Sequence, residues 1–77
     1  MQELLQTIVA GLVEDPSAIA ITEDAPNEEG VIVYHLHVAA DDMGRVIGKQ
    51  GRIARAIRLI MRSGAAKSNQ KIAVEID

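Results

Sequence analysis

Residues 46–53, VIGKQGRI, set two glycines three positions apart in a region whose apolar residues otherwise recur at helical spacing. A glycine inside a helix costs about 1 kcal/mol relative to alanine, so two of them this close mark a break between helices. Gly48 ends one helix, Gly51 opens the next, and Lys49 and Gln50 form the tip of the turn. Glycine adopts backbone angles that other residues avoid and, having no side chain, lets a foreign backbone come close. The helix after Gly51 points its free N–H groups and the positive end of its dipole at the same place. Lys49 adds a full charge, and Gln50 adds a donor and an acceptor. The result is a small, positive, sterically open surface suited to a phosphodiester backbone.

The rest of the chain supplies the frame for this break. Leu4, Leu5, Ile8, Val9, Leu12 and Val13 share one helical face. Asp15-Pro16-Ser17 stops that helix, because a proline disfavours helical geometry in the residue before it. Ile19 and Ile21, with their neighbours, predict a short strand, and residues 25–30, APNEEG, a loop rich in turn formers. Residues 31–39, VIVYHLHVA, read as a longer strand with Ile32, Tyr34, Leu36 and Val38 facing inward and Val31, Val33, His35 and His37 outward. The two strands predict an antiparallel hairpin. Asp41 and Asp42 stand where a helix N-cap and first-turn acids belong. A short helix over 43–47 leads into the glycine turn, and a longer one follows over 52–66. Ile72, Val74 and Ile76 alternate with Lys71, Ala73 and Glu75 as a half-buried strand.

The order is α-β-β-α-α-β. Three strands with one apolar face each need a single layer of helices. This predicts a two-layer α+β domain spanning residues 1–77, with the helices on one face of a three-stranded sheet. A chain of 77 residues has room for one domain only.

Charge is sorted along the chain. Residues 1–44 carry nine Asp and Glu and no Lys or Arg, and residues 45–77 carry all eight Lys and Arg against two acids. The two parts are therefore −9 and +6 within a net charge of −3. Attraction between the halves is the plain explanation, yet exposed pairs are worth little and do not require sorting. The second long helix concentrates the cations. Ile53, Ala56, Ile57, Ile60 and Gly64 mark its expected apolar face, and Arg52, Arg55, Arg58 and Arg62 lie on the opposite side at about 100° per residue. No Asp or Glu occurs between Arg45 and Lys71, so these arginines have no acidic partner on their own helix. Like charges four apart repel by a few tenths of a kcal/mol, which a helix facing an anionic ligand recovers. Arg52 and Arg55 lie nearest the turn and are expected ligand contacts, with Arg45 a further cation at its mouth. Arg58 and Arg62 lie farther along, toward the ligand, a partner or the acidic half.

Other chemistries lack residues. The chain has no cysteine, hence no thiol nucleophile and no thiolate–metal site. His35 and His37 share a strand face, but two histidines without a third ligand at a fitting spacing do not make a metal site, and solvent-facing side chains are expected. No cofactor and no enzymatic activity are expected. A single aromatic residue, Tyr34, argues against stacking platforms of the RRM kind. No apolar run approaches a membrane span and the N-terminus lacks a basic start, so a cytoplasmic protein without membrane contact is expected.

The segment DDMGRVIGKQGRIARAI, set in this element order, resembles the core of KH domains of the type II form. The whole chain is similar to the small bacterial single-KH-domain RNA-binding proteins of the KhpA type. The resemblance implies a G-x-x-G loop of Gly48, Lys49, Gln50 and Gly51 that clamps the backbone of single-stranded RNA over about four nucleotides. It implies that Val46 and Ile47 support the loop and edge a groove, and that Arg52 and Arg55 flank the backbone path. It further implies an RNA chaperone or post-transcriptional regulator, cytoplasmic and linked to cell shape and cell-wall homeostasis. Partners so implied are a second RNA-binding protein of the KhpB (Jag-like) type and a second copy of the chain. Gln50 departs from the many KH domains that carry a basic or small residue there, which removes one loop charge.

Three rivals remain. A helix-turn-helix DNA reader also joins two helices through a glycine-containing turn, but here a hairpin precedes the pair and the overall charge repels duplex DNA. A phosphate loop needs G-x-x-x-x-G-K-[ST]; the run from Gly44 to Lys49 is one residue short, and Gln50 stands where the hydroxyl belongs. A protein-interaction module of KH shape, with nucleic-acid binding secondary, fits the charge sorting as well.

Overall fold

The computed structural model describes residues 1–77. Its elements are α1 (Gln2–Ala10), β1 (Ala20–Glu23), β2 (Val31–His37), α2 (Met43–Ile47), α3 (Arg52–Lys67) and β3 (Lys71–Ile76). Short 3-10 turns occupy Pro16–Ala18, Ala40–Asp42 and Lys49–Gly51. The sheet order is β1-β2-β3, with β2 in the centre. β1 runs antiparallel to β2 with Ile21 opposite Leu36, and β3 runs parallel to β2 with Tyr34 opposite Val74. The fold is the expected α-β-β-α-α-β arrangement, and the sheet is mixed. No helix is long and apolar enough to cross a membrane.

The core lies between the helices and one face of the sheet. Leu5 and Val9 of α1, Val46 of α2, and Ile57, Met61 and Ala65 of α3 meet Tyr34 and Leu36 of β2, Val38, and Ile72 and Val74 of β3. Each large apolar side chain so enclosed contributes about 1.5–3 kcal/mol. The inward set expected on β2 is buried at Tyr34, Leu36 and Val38 and partly at Ile32. Tyr34, the single aromatic, is 2% exposed. Burial, reinforced by the hydrogen bond it donates to the Glu23 carboxylate, pushes its hydroxyl up to about 12, so it stays a neutral donor at any physiological pH.

Three details differ from the sequence reading. The first helix ends at Ala10 rather than continuing to Val13. Leu12 and Val13 still pack on the core, but the chain leaves the helix so that Glu14 and Asp15 can offer their N–H groups to Asp42. The second strand ends at His37 rather than Ala39, although Val38 remains fully buried. The largest difference concerns α3. Its buried residues are Ala54, Ile57, Met61 and Ala65, whereas Ala56 is exposed and Ile60 is 47% exposed. The helix turns a narrow face bearing two alanines to the sheet, which lets its axis approach closely. The rotation also brings Arg58 from the expected far side round to β3.

Candidate nucleic-acid interface

α2 and α3 meet at the 48–51 turn, and the backbone explains both glycines. Gly48 has φ 74° and ψ 174°, and its N–H reaches the Gly44 carbonyl at 2.8 Å. A Cβ placed there would sit 2.8 Å from Ile53 Cβ and 3.0 Å from Ile53 N, so α3 packs directly against the bare Cα. Gly51 has φ 73° and ψ 15°, with nothing within 4 Å of where a Cβ would stand. Gly48 is thus required by space and angle together, and Gly51 by angle alone.

Between them Gln50 also takes a left-handed conformation, φ 58° and ψ 26°. Such a residue needs support, and Arg55 supplies it by donating from Nη2 to the Gln50 carbonyl at 2.7 Å. Gly51 is the N-cap of α3, and no side chain caps the helix. The first N–H groups of α3 therefore face outward beside the turn without a side-chain partner.

The predicted site residues fall into three groups. Gly48, Lys49, Gln50, Gly51, Arg52 and Arg55 come together around the turn; Lys49 and Arg52 are exposed, and neither forms an ion pair. Val46 is fully buried beneath the turn, while Ile47 is 39% exposed beside it. Arg45 is engaged elsewhere. Its Nη1 donates to Asp42 Oδ1 at 3.0 Å and to the Asp41 carbonyl at 3.2 Å, and its Nη2 donates to Glu14 Oε1 at 2.8 Å. It faces the segment after α1. Of the eight Lys and Arg, Arg45 alone forms an ion pair. Attraction within the fold thus leaves the sorted charge almost untouched, and the cations of α3 stay available.

An acid and a histidine took roles the sequence did not reveal. Asp42 is 2% exposed, and its side chain does not cap α2. It accepts the N–H of Glu14 at Oδ1 and that of Asp15 at Oδ2, both at 3.0 Å, and so ties the segment after α1 to α2. The Glu14 N–H, then the Asp15 N–H and Arg45, hold its carboxyl below the usual range against the opposing effect of burial. On the outer sheet face, His35 donates from Nε2 to Asp24 Oδ2 at 2.8 Å, and its Nδ1 lies 3.3 Å from Glu75 Oε2. One histidine of β2 thereby reaches the residue just after β1 on one side and β3 on the other. The alternation of β2 gave its face but not its neighbours, which depend on strand order.

Arg58 and Arg62 line a shallow groove with Ile72, Ala73 and Val74 of β3. Arg58 Nε donates to the Val74 carbonyl at 3.2 Å, and neither arginine meets an acid. The outward face of α3 also leaves Leu59 60% and Ile60 47% exposed.

Known proteins share the sequence pattern and the fold of this chain. The family model for the KH domain of KhpA/KhpB matches residues 2–76. The chain is 46% identical over 76 residues to the RNA-binding protein KhpA of Clostridium acetobutylicum, covering 99% of each chain. It is 41% identical over 75 residues to that of Treponema pallidum, covering 97% of this chain and 91% of the relative. Among solved structures, Era in complex with MgGDPNP and nucleotides 1506–1542 of 16S ribosomal RNA superposes with a TM-score of 0.67 at 19% identity, over 96% of this chain and 28% of that one. At that identity the likeness concerns the fold alone.

Proposed function

The chain belongs to the KhpA/KhpB KH-domain family, and from that premise we propose that it binds single-stranded RNA at the 48–51 turn. One observation carries the reading. The turn is open at Gly51, uncapped at the start of α3, and flanked by exposed Lys49 and Arg52, which no acid neutralises. A phosphate lying against Gly51 meets backbone donors, the helix dipole and two cations at once. Arg55 latches the tip through Gln50 and borders the backbone path. Ile47 and Ile53 offer apolar surface for the bases beside it. With two to four phosphate contacts, the logarithm of affinity falls with that of salt at a slope of about −1.4 to −2.8. Affinity from one such module is modest, and a second raises it through effective concentration.

In this reading the chain acts in the cytoplasm as an RNA chaperone or post-transcriptional regulator that is not an enzyme. Family resemblance supports a role in cell shape and cell-wall homeostasis, beside a KhpB-type RNA-binding partner. The decisive experiment is an NMR titration with short single-stranded RNA on the natural chain and on a Lys49→Asp, Gln50→Asp double variant. Amide shifts should centre on the 48–51 turn and vanish in the folded variant. Equal binding by the folded variant would remove the turn from the mechanism.

A second reading, as an interaction or dimerisation module, is favoured by the exposed Leu59 and Ile60 on α3. Adjacent apolar side chains in water on one helix suit a protein partner. Light scattering across concentration tests it: a mass that stays monomeric at high concentration removes the homodimer.

A further inference from the structure

Arg52 and Arg55 both stand beside the 48–51 turn, but the fold uses them differently. Arg52 is exposed and meets no acid. Arg55, also exposed, commits its Nη2 to the Gln50 carbonyl at 2.7 Å. That carbonyl belongs to a demanding piece of backbone. Gln50 (φ 58°, ψ 26°) and Gly51 (φ 73°, ψ 15°) have the angles of the two central residues of a type I′ turn, and the Arg52 N–H closes it on the Lys49 carbonyl. Both central positions require positive φ, and Gly, Asn and Asp dominate them. Gly51 meets that demand and Gln50 does not. The other non-glycine residue with positive φ is Asn69, at 59°, a type that tolerates the left-handed region. Gln50 is exposed, so no core packing holds it in place. What holds it is the bond from Arg55, which a charged donor makes strong. In this form of the turn the N–H groups of Lys49 and Gln50 have no backbone acceptor.

We infer that Arg55 is a positioning residue for RNA binding: it acts through the Gln50 carbonyl, holding the turn in its left-handed form, and not through a phosphate of its own. The inference rests on the RNA-binding reading above and deepens it. Arg52 and Lys49 are then the cations that meet the backbone. Turning the Arg55 guanidinium toward a phosphate would give up the carbonyl and release Gln50, so a gain at that one contact would be offset by disorder at the others. Gln50 and Arg55 thus form a matched pair, in which the arginine compensates for a residue ill suited to its turn position.

The test is a double-mutant cycle read by fluorescence anisotropy on a labelled pool of randomised single-stranded RNA decamers, across a range of salt. Arg55→Gln should weaken binding about fivefold, as the competent turn becomes the minor form. Gln50→Gly takes up the same angles without support. In that background Arg55→Gln should therefore cost less than about twofold, the effect of one screened charge. The salt slope should stay level in Arg55→Gln, whereas Arg52→Gln should make it shallower by about 0.7, the share of one single-strand phosphate contact. In the free protein, hydrogen exchange at the Arg52 amide should quicken in Arg55→Gln and slow again in the double variant. A slope made shallower by about 0.7 in Arg55→Gln makes Arg55 a phosphate contact and overturns the inference. So does a loss of affinity that persists in full in the Gln50→Gly background, or an Arg52 amide indifferent to Arg55. No binding of the decamers by the natural chain overturns the RNA-binding reading, and this role of Arg55 falls with it.

Discussion

The two ends of α2 treat charge in opposite ways. At its start Asp42 is 2% exposed and holds two backbone N–H groups and Arg45, which in turn holds Glu14. At its end the 48–51 turn carries Lys49 with no acid near it, and the next cation, Arg52, is equally unpaired. Folding consumes the charge at the first end and spares it at the second. A cation placed near an anionic ligand is useful only if the fold does not claim it first. Arg45 and Lys49 lie four residues apart in sequence, and their difference comes from which of them the segment after α1 reaches.

The glycines give the sharpest way to break this comparison. Gly48→Ala combines a backbone region open almost only to glycine with a side chain driven into Ile53. Strain and overpacking together should destabilise by about 3 kcal/mol. Gly51→Ala meets open space and should cost about 1 kcal/mol for its left-handed angle alone. Urea unfolding of both variants checks the ordering; equal costs would mean that Ile53 does not rest on the bare Cα.

Next in size is the clamp. Asp42→Asn removes the charge facing Arg45 and sets an amide donor group against one of the two N–H groups. The thermal midpoint should fall by roughly 10 °C for a domain of this size. The carboxyl of Asp42 is held low in the folded state, so its stabilisation is present above the ordinary carboxylate pKa of 3.8 and is lost as pH falls through the lower folded value. The natural chain should therefore lose stability below about pH 4 more steeply than the variant. Parallel acid limbs would show that the clamp acts without its charge. RNA affinity should change little, since clamp and turn occupy opposite ends of α2.

How far the sequence carries this comparison depends on the kind of information each end needs. The element order, the inward face of β2 and the break at Gly48 and Gly51 follow from periodicity and from residues with narrow backbone preferences, which are local properties. The rotation of α3 does not. Ile53 and Ile60 outweigh Ala54 and Ala65 on any hydropathy wheel, yet the face that meets the sheet carries the two alanines beside Ile57 and Met61 and leaves Ile60 outside. Asp42 was equally hidden. It sits beside Asp41 with nothing local to separate them, and its role is fixed by a segment 27 and 28 residues away. The sorting of charge was legible, but only the fold shows that Arg45 is claimed and that Arg58 reaches β3.

The smallest expected effect concerns a third way of handling charge, in which pH decides whether the charge exists. His35 lies between Asp24 and Glu75 on the open sheet face, and its pKa is raised, first by the hydrogen bond to Asp24 and then by the charges of Asp24, Glu75 and Asp77, against desolvation. A folded value above the unfolded one means that the stabilisation is complete below the ordinary histidine pKa of 6.5 and is lost as pH rises through the folded value. The thermal midpoint should thus decline by a few degrees from slightly acidic to slightly basic pH, and His35→Gln should flatten that decline. RNA affinity over the same interval should stay level, because no histidine, aspartate or glutamate occurs between Arg45 and Lys71. A stability profile that slopes equally with and without His35 would mean that the histidine does not tie the strands together. An affinity that follows the stability slope would mean that the sheet face and the turn are coupled, and the two ends of α2 would no longer be independent of what lies across the sheet.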